Sequence, residues 1–264
     1  MRTKKLLILS LTLISLILMS CKEETPVEND STLYKLNGII IDEDNEPVEN
    51  VIIELNGVLD TSNEQGEFKF NDLTAGVYPI KTKHIFYHAF VNNLEIKSDT
   101  NIILEIKKRD LQWYPQEIGN KWFYADTLYN YHYTTVIIGD TIMANNKKYF
   151  IREFMGSYKT YMRQTENEIF YLNENGEEFL YADFTRQIGE EFAWEYSNDS
   201  YRWISKKDTI WSDIFNVNLV KYTFQEFEYE FSICQGVGEY SAFTYGMNRV
   251  IKGAKINDDI YGEL

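Results

Sequence analysis

Along most of this chain apolar and polar positions alternate with a period of two, the pattern of strands buried on one face. Phe68-Lys69-Phe70 alternates cleanly, and Leu36 to Ile41, Val51 to Leu55 and Gly76 to Ile80 read as further short strands. Turn formers punctuate them. Asp42-Glu43-Asp44-Asn45-Glu46-Pro47 is one cluster, and Asn56-Gly57 is a hairpin signal because both residues tolerate positive φ. Turns recurring at roughly 8–12 residues predict a compact sandwich over residues 34–107.

Beyond a charged link, Lys107-Lys108-Arg109-Asp110, the alternation resumes over 111–264. Tyr131 to Ile138, Lys148 to Phe154, Tyr158 to Met162, Ile169 to Leu172 and Glu178 to Tyr181 are separated by Asn146, Gly156, Asn167 and Asn173-Glu174-Asn175-Gly176. No stretch shows a long 3.6-residue apolar period with caps, so few helices are expected. The expected fold is all-β: a small Ig/transthyretin-like β-sandwich followed by a larger antiparallel β-meander, curled into a barrel or half-barrel. Val220, Tyr222 and Phe224 occupy even positions and Phe227, Tyr229, Phe231 and Ile233 odd ones. A bulge or very tight turn at Gln225-Glu226 must absorb that change of face. Ile118-Gly119 before Trp122 is echoed by Ile188-Gly189 before Phe192 and more faintly by Gly236-Val237-Gly238. The echo admits repeated turn chemistry, the reading preferred here, or a two-fold duplication.

The first twenty residues follow different rules. Arg2, Lys4 and Lys5 precede an apolar run from Leu6 to Met19 of about 14 residues, short of the roughly 20 that span a bilayer. Leu18-Met19-Ser20-Cys21 resembles the lipobox of bacterial lipoproteins, with Met19 bulkier than the usual residue at its position. That resemblance implies a signal peptide over 1–20 and lipid on Cys21, with residues 21–33 as a polar tether. One acyl chain binds only marginally, whereas the two or three on a lipoprotein cysteine hold stably. Lys22-Glu23-Glu24 resembles the export signal of surface-exposed Bacteroidetes lipoproteins. The expected location is therefore the outer membrane, lipid-anchored, with display at the cell surface.

Removing residues 1–20, which carry three positive charges and no acid, leaves 244 residues and moves the formal charge from −15 to −18. Such a balance excludes nucleic acid as partner, since phosphate backbones are held by clustered Lys and Arg. With Cys21 acylated, Cys234 has no disulfide partner and reads as a buried, inert thiol. Aromatics make up 16% of the chain, and most are expected to cover half-buried strands.

The run Gly38-x3-Asp42-x4-Pro47-x3-Val51, Thr61-x4-Gly66-x-Phe68-x-Phe70 and Leu73-x2-Gly76-x-Tyr78 resembles the carboxypeptidase regulatory-like domain. Asn45-Glu46 departs from it where the family carries a glycine before the proline. The resemblance implies a seven-stranded transthyretin-like sandwich without catalytic activity. Trp113-Tyr114-Pro115-x3-Gly119-Asn120-x-Trp122-x-Tyr124 resembles the opening of β-rich Bacteroidetes lipoproteins of undefined activity, and Lys255 to Gly262 looks like their close.

Chemistry is sparse. Among the three histidines none has Glu three residues on, so a carboxypeptidase zinc site is excluded. His84 and His88 have helical metal spacing, yet on a strand they would lie about 13 Å apart. Asp42-x-Asp44-x-Glu46 lacks the rest of a calcium loop. No catalytic residue, metal or cofactor is expected. The leading reading is a non-enzymatic binding or structural module, with the membrane as partner through its anchor and a glycan, peptide or outer-membrane protein as further partner. Trp113, Trp122, Trp194, Trp203 and Trp211 are the candidates for stacking on a ligand. The alternative is a hydrolase whose carboxylates only the fold assembles.

Overall fold

The computed structural model describes residues 32–173, 175–193, 201–244 and 246–263. Cys21 and Trp194 lie outside the described residues. The fold is all-β.

The first domain packs two sheets around one core. β1 (Tyr34–Ile41) lies between β4 (Glu67–Leu73), antiparallel, and β7 (Thr100–Glu105), parallel. The facing sheet runs β3 (Val58–Thr61), β2 (Ile52–Leu55), β5 (Gly76–Lys83), β6 (Val91–Ile96). Alternation places Leu36 and Ile40 of β1 inward, where they meet Ile53, Leu55, Phe68, Phe70, Ile80 and Leu104. Asn56 and Gly57 take φ of 49° and 85° and close the β2–β3 hairpin, the conformation their sequence favours.

The second domain is a single 13-stranded antiparallel sheet, nearly closed into a barrel. One meander comprises β8 (Lys121–Asp126), β9 (Tyr131–Ile142), β10 (Lys148–Phe154), β11 (Tyr158–Gln164), β12 (Glu168–Leu172) and β13 (Glu178–Asp183). A second comprises β14 (Glu191–Ala193), β15 (Tyr201–Ser212), β16 (Val217–Glu226), β17 (Tyr229–Cys234), β18 (Gly238–Thr244) and β19 (Met247–Ile256). The two join where β8 pairs with β19, and β20 (Asp259–Gly262) adds to β19.

These meanders repeat one plan. Gly119 N–H donates to Ile137 of β9, and Gly189 N–H donates to Ile204 of β15. Asn120 N–H returns to Glu117 as Glu190 N–H returns to Gln187. Each turn then opens a short strand followed by one of twelve residues. The echo is thus matched at the level of the turns' hydrogen bonds, as repeated turn chemistry requires. The face change after Phe224 falls at a two-residue turn, Phe227-Glu228, between paired Glu226 and Tyr229.

The sheet edges β13 and β14 do not pair with each other. Their gap is closed by side chains: Arg202 donates from Nη1 to the Tyr181 carbonyl at 2.5 Å and ion-pairs with Glu226 at 3.0 Å. The rings of Tyr181 and Phe231 meet across it, 4.8 Å between centroids.

The charged link is a clamp. Arg109 donates from Nε to the Tyr87 carbonyl in the first domain and pairs with Asp259 of β20 at 3.2 Å. Lys81 of β5 pairs with the same buried Asp259 at 3.0 Å, and Lys108 pairs with Asp42 and Asp44. Phe86 packs on Gly236, and Ile85 joins the second domain's core.

Candidate functional site

The hairpin turns of the second domain fall at two ends. Those near Gly236 and Asp258 face the first domain, as the contacts of Phe86 with Gly236 and of Arg109 with Asp259 show. At the opposite end lie Thr127 to Asn130, Met155 to Ser157 and Phe227-Glu228. Several large apolar side chains are exposed there: Leu128, Tyr129, Tyr131, Met155, Tyr158, Tyr201, Phe227 and Phe243. A cleft of about 530 Å³ opens beside Met155, lined by Arg152, Phe154, Ser157, Tyr158, Thr160 and Arg249. A neighbouring groove of about 520 Å³ shares Met155 and runs past Tyr131 and His132.

Arg152 and Arg249 come from alternating strands whose other inward residues are apolar, Phe150 and Phe154 on β10 and Met247 and Ile251 on β19. They converge on Glu239 of β18. Arg152 Nη1 lies 3.5 Å from one carboxylate oxygen, and Arg249 Nη2 pairs with the other. Glu239 is 3% exposed, and burial pushes its carboxyl upward while Arg152 and Arg202 draw it back. Tyr114 Oη accepts from Arg152 at 3.2 Å, and the Arg152 guanidinium also lies over the Tyr171 ring, 5.4 Å from its centroid. Arg249 lies over Tyr124 in the same way, at 5.4 Å. Burial raises the hydroxyls of Tyr114, Tyr124, Tyr171 and Tyr181, so all remain neutral hydrogen-bonding groups at ordinary pH.

The supports of this cluster explain the aromatic opening of the domain. Trp122 Nε1 donates to the Val237 carbonyl at 2.6 Å, and Tyr124 Oη donates to the Glu239 carbonyl at 2.9 Å. Two donors on β8 thereby fix the start of β18 and aim Glu239. The Tyr114 ring lies so close to Gly238 that an added Cβ would meet it at 2.7 Å, so glycine is required there.

The four described tryptophans are therefore not one stacking surface. Trp122 is fully buried, and Trp113 lies in the core with its ring stacked on Phe184 at 3.6 Å; neither offers a face to a ligand. Trp203 is half-buried on β15, and Trp211 is exposed on that strand's far end, its Nε1 bonded to Asp213. The exposed ring that lines the cleft is Tyr158. Sequence reasoning missed Arg152, Arg249 and Glu239, although an arginine centred in Phe150-x-Arg152-x-Phe154 and in Met247-x-Arg249-x-Ile251 is a readable signal.

The metal-like spacings resolve into turn chemistry. His84 and His88 lie in a turn, not on a strand; His84 Nδ1 accepts from the Phe86 N–H, while His88 is exposed. Asp42 accepts from the Asp44 and Glu46 amides, and Lys108 beside it holds its carboxyl below the usual range. Among the described residues no group of three His, Cys, Asp or Glu side chains is placed to hold a metal ion. No helix among them is long and apolar enough to cross a membrane. Burial pushes the Cys234 thiol up to about 12, leaving it un-ionised at neutral pH.

No protein-family model matches the chain. No curated protein matches it significantly. Among solved structures it is similar to a streptococcal ancillary pilin, at 12% identity over 84% of this chain and 59% of that one, with a TM-score of 0.30. It is similar to the Bacillus anthracis TIE protein at 11% identity over 74% of this chain and 45% of that one, TM-score 0.27. BcpA*(D312A), the major pilin subunit of Bacillus cereus, matches at 9% identity over 87% and 94% of the two chains, TM-score 0.27. The chain thus spans less than two thirds of the first two. Likeness at this level assigns neither partner nor activity.

Proposed function

We propose that this chain is a lipid-anchored envelope protein, held to the outer membrane through Cys21, and that its folded part is a non-enzymatic binding module displayed at the cell surface. One observation supports the reading: Tyr34, near which the described residues begin, and the cleft lie at opposite ends of one ion-paired body. β1 begins at Tyr34, beside Asp99, and runs toward the Asp42 turn, which Lys108 ties to the interdomain link. From that junction β19 leads away to Arg249, seven residues above Ile256, roughly 23 Å at the usual strand rise. A tether on the near side and a cleft on the far side suit presentation of the cleft to a partner outside the membrane. Shared burial of Asp259 between Lys81 and Arg109 keeps the two domains from swinging freely.

The anchor is tested by fractionation. Wild-type protein is expected to take up labelled palmitate and sediment with membranes. Cys21→Ser is expected to lose the label and appear in the soluble fraction. A serine variant that stays membrane-bound to the same extent removes the anchor from this account.

A further inference from the structure

Two guanidiniums share one carboxylate at the floor of the distal cleft. Each guanidinium has five N–H donors. Arg152 spends Nη1 on Tyr114 and Glu239, and Arg249 spends Nη2 on Glu239; Nε of both is buried and out of a ligand's reach, so the donors left for one are Arg152 Nη2 and Arg249 Nη1. Both side chains keep a window to the cleft, 13% and 11% exposed. Asp126, the ladder partner of Arg249, turns its carboxylate to the Leu128 and Tyr129 amides. Arg202 is balanced by Glu226. With Glu239 ionised between its two guanidiniums, the surplus at the cleft is one positive charge, in a chain whose formal charge is −15. That surplus matches a monoanionic carboxylate better than a doubly charged phosphate, and planar guanidinium forks suit a carboxylate geometrically.

The walls select what the carboxylate belongs to. Tyr158 presents an exposed ring, Met155 and Phe154 supply apolar surface, and Ser157 and Thr160 supply hydroxyls. An exposed aromatic face beside hydroxyl donors suits a sugar ring, whose C–H face packs on the aromatic while its hydroxyls exchange hydrogen bonds. About 530 Å³ falls within the usual range for small-ligand sites. Met155 holds φ of 54° beside Gly156 at 72°, the left-handed pair that closes the β10–β11 hairpin and sets the Met155 side chain at the rim of the cleft.

We propose that the cleft between Arg152, Arg249 and Tyr158 binds a carboxylated sugar, a uronic-acid unit of an acidic glycan. Its carboxylate docks at the two guanidiniums and its ring lies on Tyr158. The assignment rests on the binding-module reading above but not on the anchor, because the test uses purified protein.

Calorimetric titration of the full chain in detergent decides it. Glucuronate oligosaccharide is expected to bind, with glucose oligosaccharide of the same length at least ten-fold weaker. Tyr158→Ala and Ser157→Asp, both at exposed positions that leave the core intact, are each expected to weaken glucuronate binding at least ten-fold. Arg249→Gln is expected to abolish it. Equal binding of acetate or inorganic phosphate reduces the cleft to a bare anion site and overturns the sugar assignment. So does equal binding of the neutral sugar, tighter binding of an acidic peptide, or glucuronate affinity unchanged in Tyr158→Ala and Ser157→Asp. Failure here with normal palmitate labelling removes the ligand and leaves the anchor standing.

Discussion

Met155 and Phe227 show what single residues cost at the distal end. Both hold positive φ, 54° and 42°, where asparagine or glycine would be at ease. The same molecule uses Asn56-Gly57 for a hairpin far from the cleft. Met155→Asn is therefore expected to raise unfolding stability by about 0.5–1 kcal/mol, read from the urea midpoint, while removing apolar surface from the cleft. His84 gives the second residue-scale expectation. Burial, with the Arg109 charge adding to it, lowers its pKa from 6.5 to about 4, and Nδ1 must stay unprotonated to accept from Phe86. The unfolded chain therefore binds a proton that the folded chain refuses between those values. Stability is full above pH 6.5 and falls as pH drops toward 4, by about 3 kcal/mol at most. His84→Asn, which keeps an acceptor but cannot titrate, should flatten that slope in unfolding curves between pH 4 and 6.5. At this scale the turn residues were legible because their chemistry is local. The Arg152–Glu239–Arg249 cluster was not, because three ordinary charged residues meet only after the sheet curls.

Elements followed alternation closely where one face is buried and neighbours pair in sequence. Lys148 to Phe154 reads as a strand and is one, bounded at those residues. Closure of the sheet was not legible, since β8 pairs with β19 through residues more than a hundred positions apart. Nor was the device that shuts the seam, because Arg202 replaces a backbone ladder with side-chain bonds to Tyr181 and Glu226. Its side chain is 1% exposed, and its guanidinium lies against both the Tyr181 and Phe231 rings, 4.8 and 4.5 Å from their centroids. Arg202→Ala removes a buried ion-pair partner and is expected to cost about 3–5 kcal/mol. Hydrogen exchange should show β13 and β15 losing protection before the β8–β19 ladder does. Uniform loss across the sheet would contradict a role at the seam.

At the scale of the whole molecule, two residues of the charged link, Lys108 and Arg109, form the joint. Lys108 and Arg109 are satisfied from both sides, by Asp42 and Asp44 in one domain and Asp259 in the other. Composition could not show this, because ion pairs across a junction leave no periodic trace. The joint makes Tyr34 and the cleft opposite ends of one object, and on that arrangement the proposed display rests. Ser157→Cys, expressed in the native host and treated on intact cells with a membrane-impermeant maleimide, tests it most directly. Cys234 is buried and should stay dark, and Cys21, if acylated, cannot react. The account expects strong labelling at residue 157 on unbroken cells. Labelling that appears only after the cells are opened would contradict it.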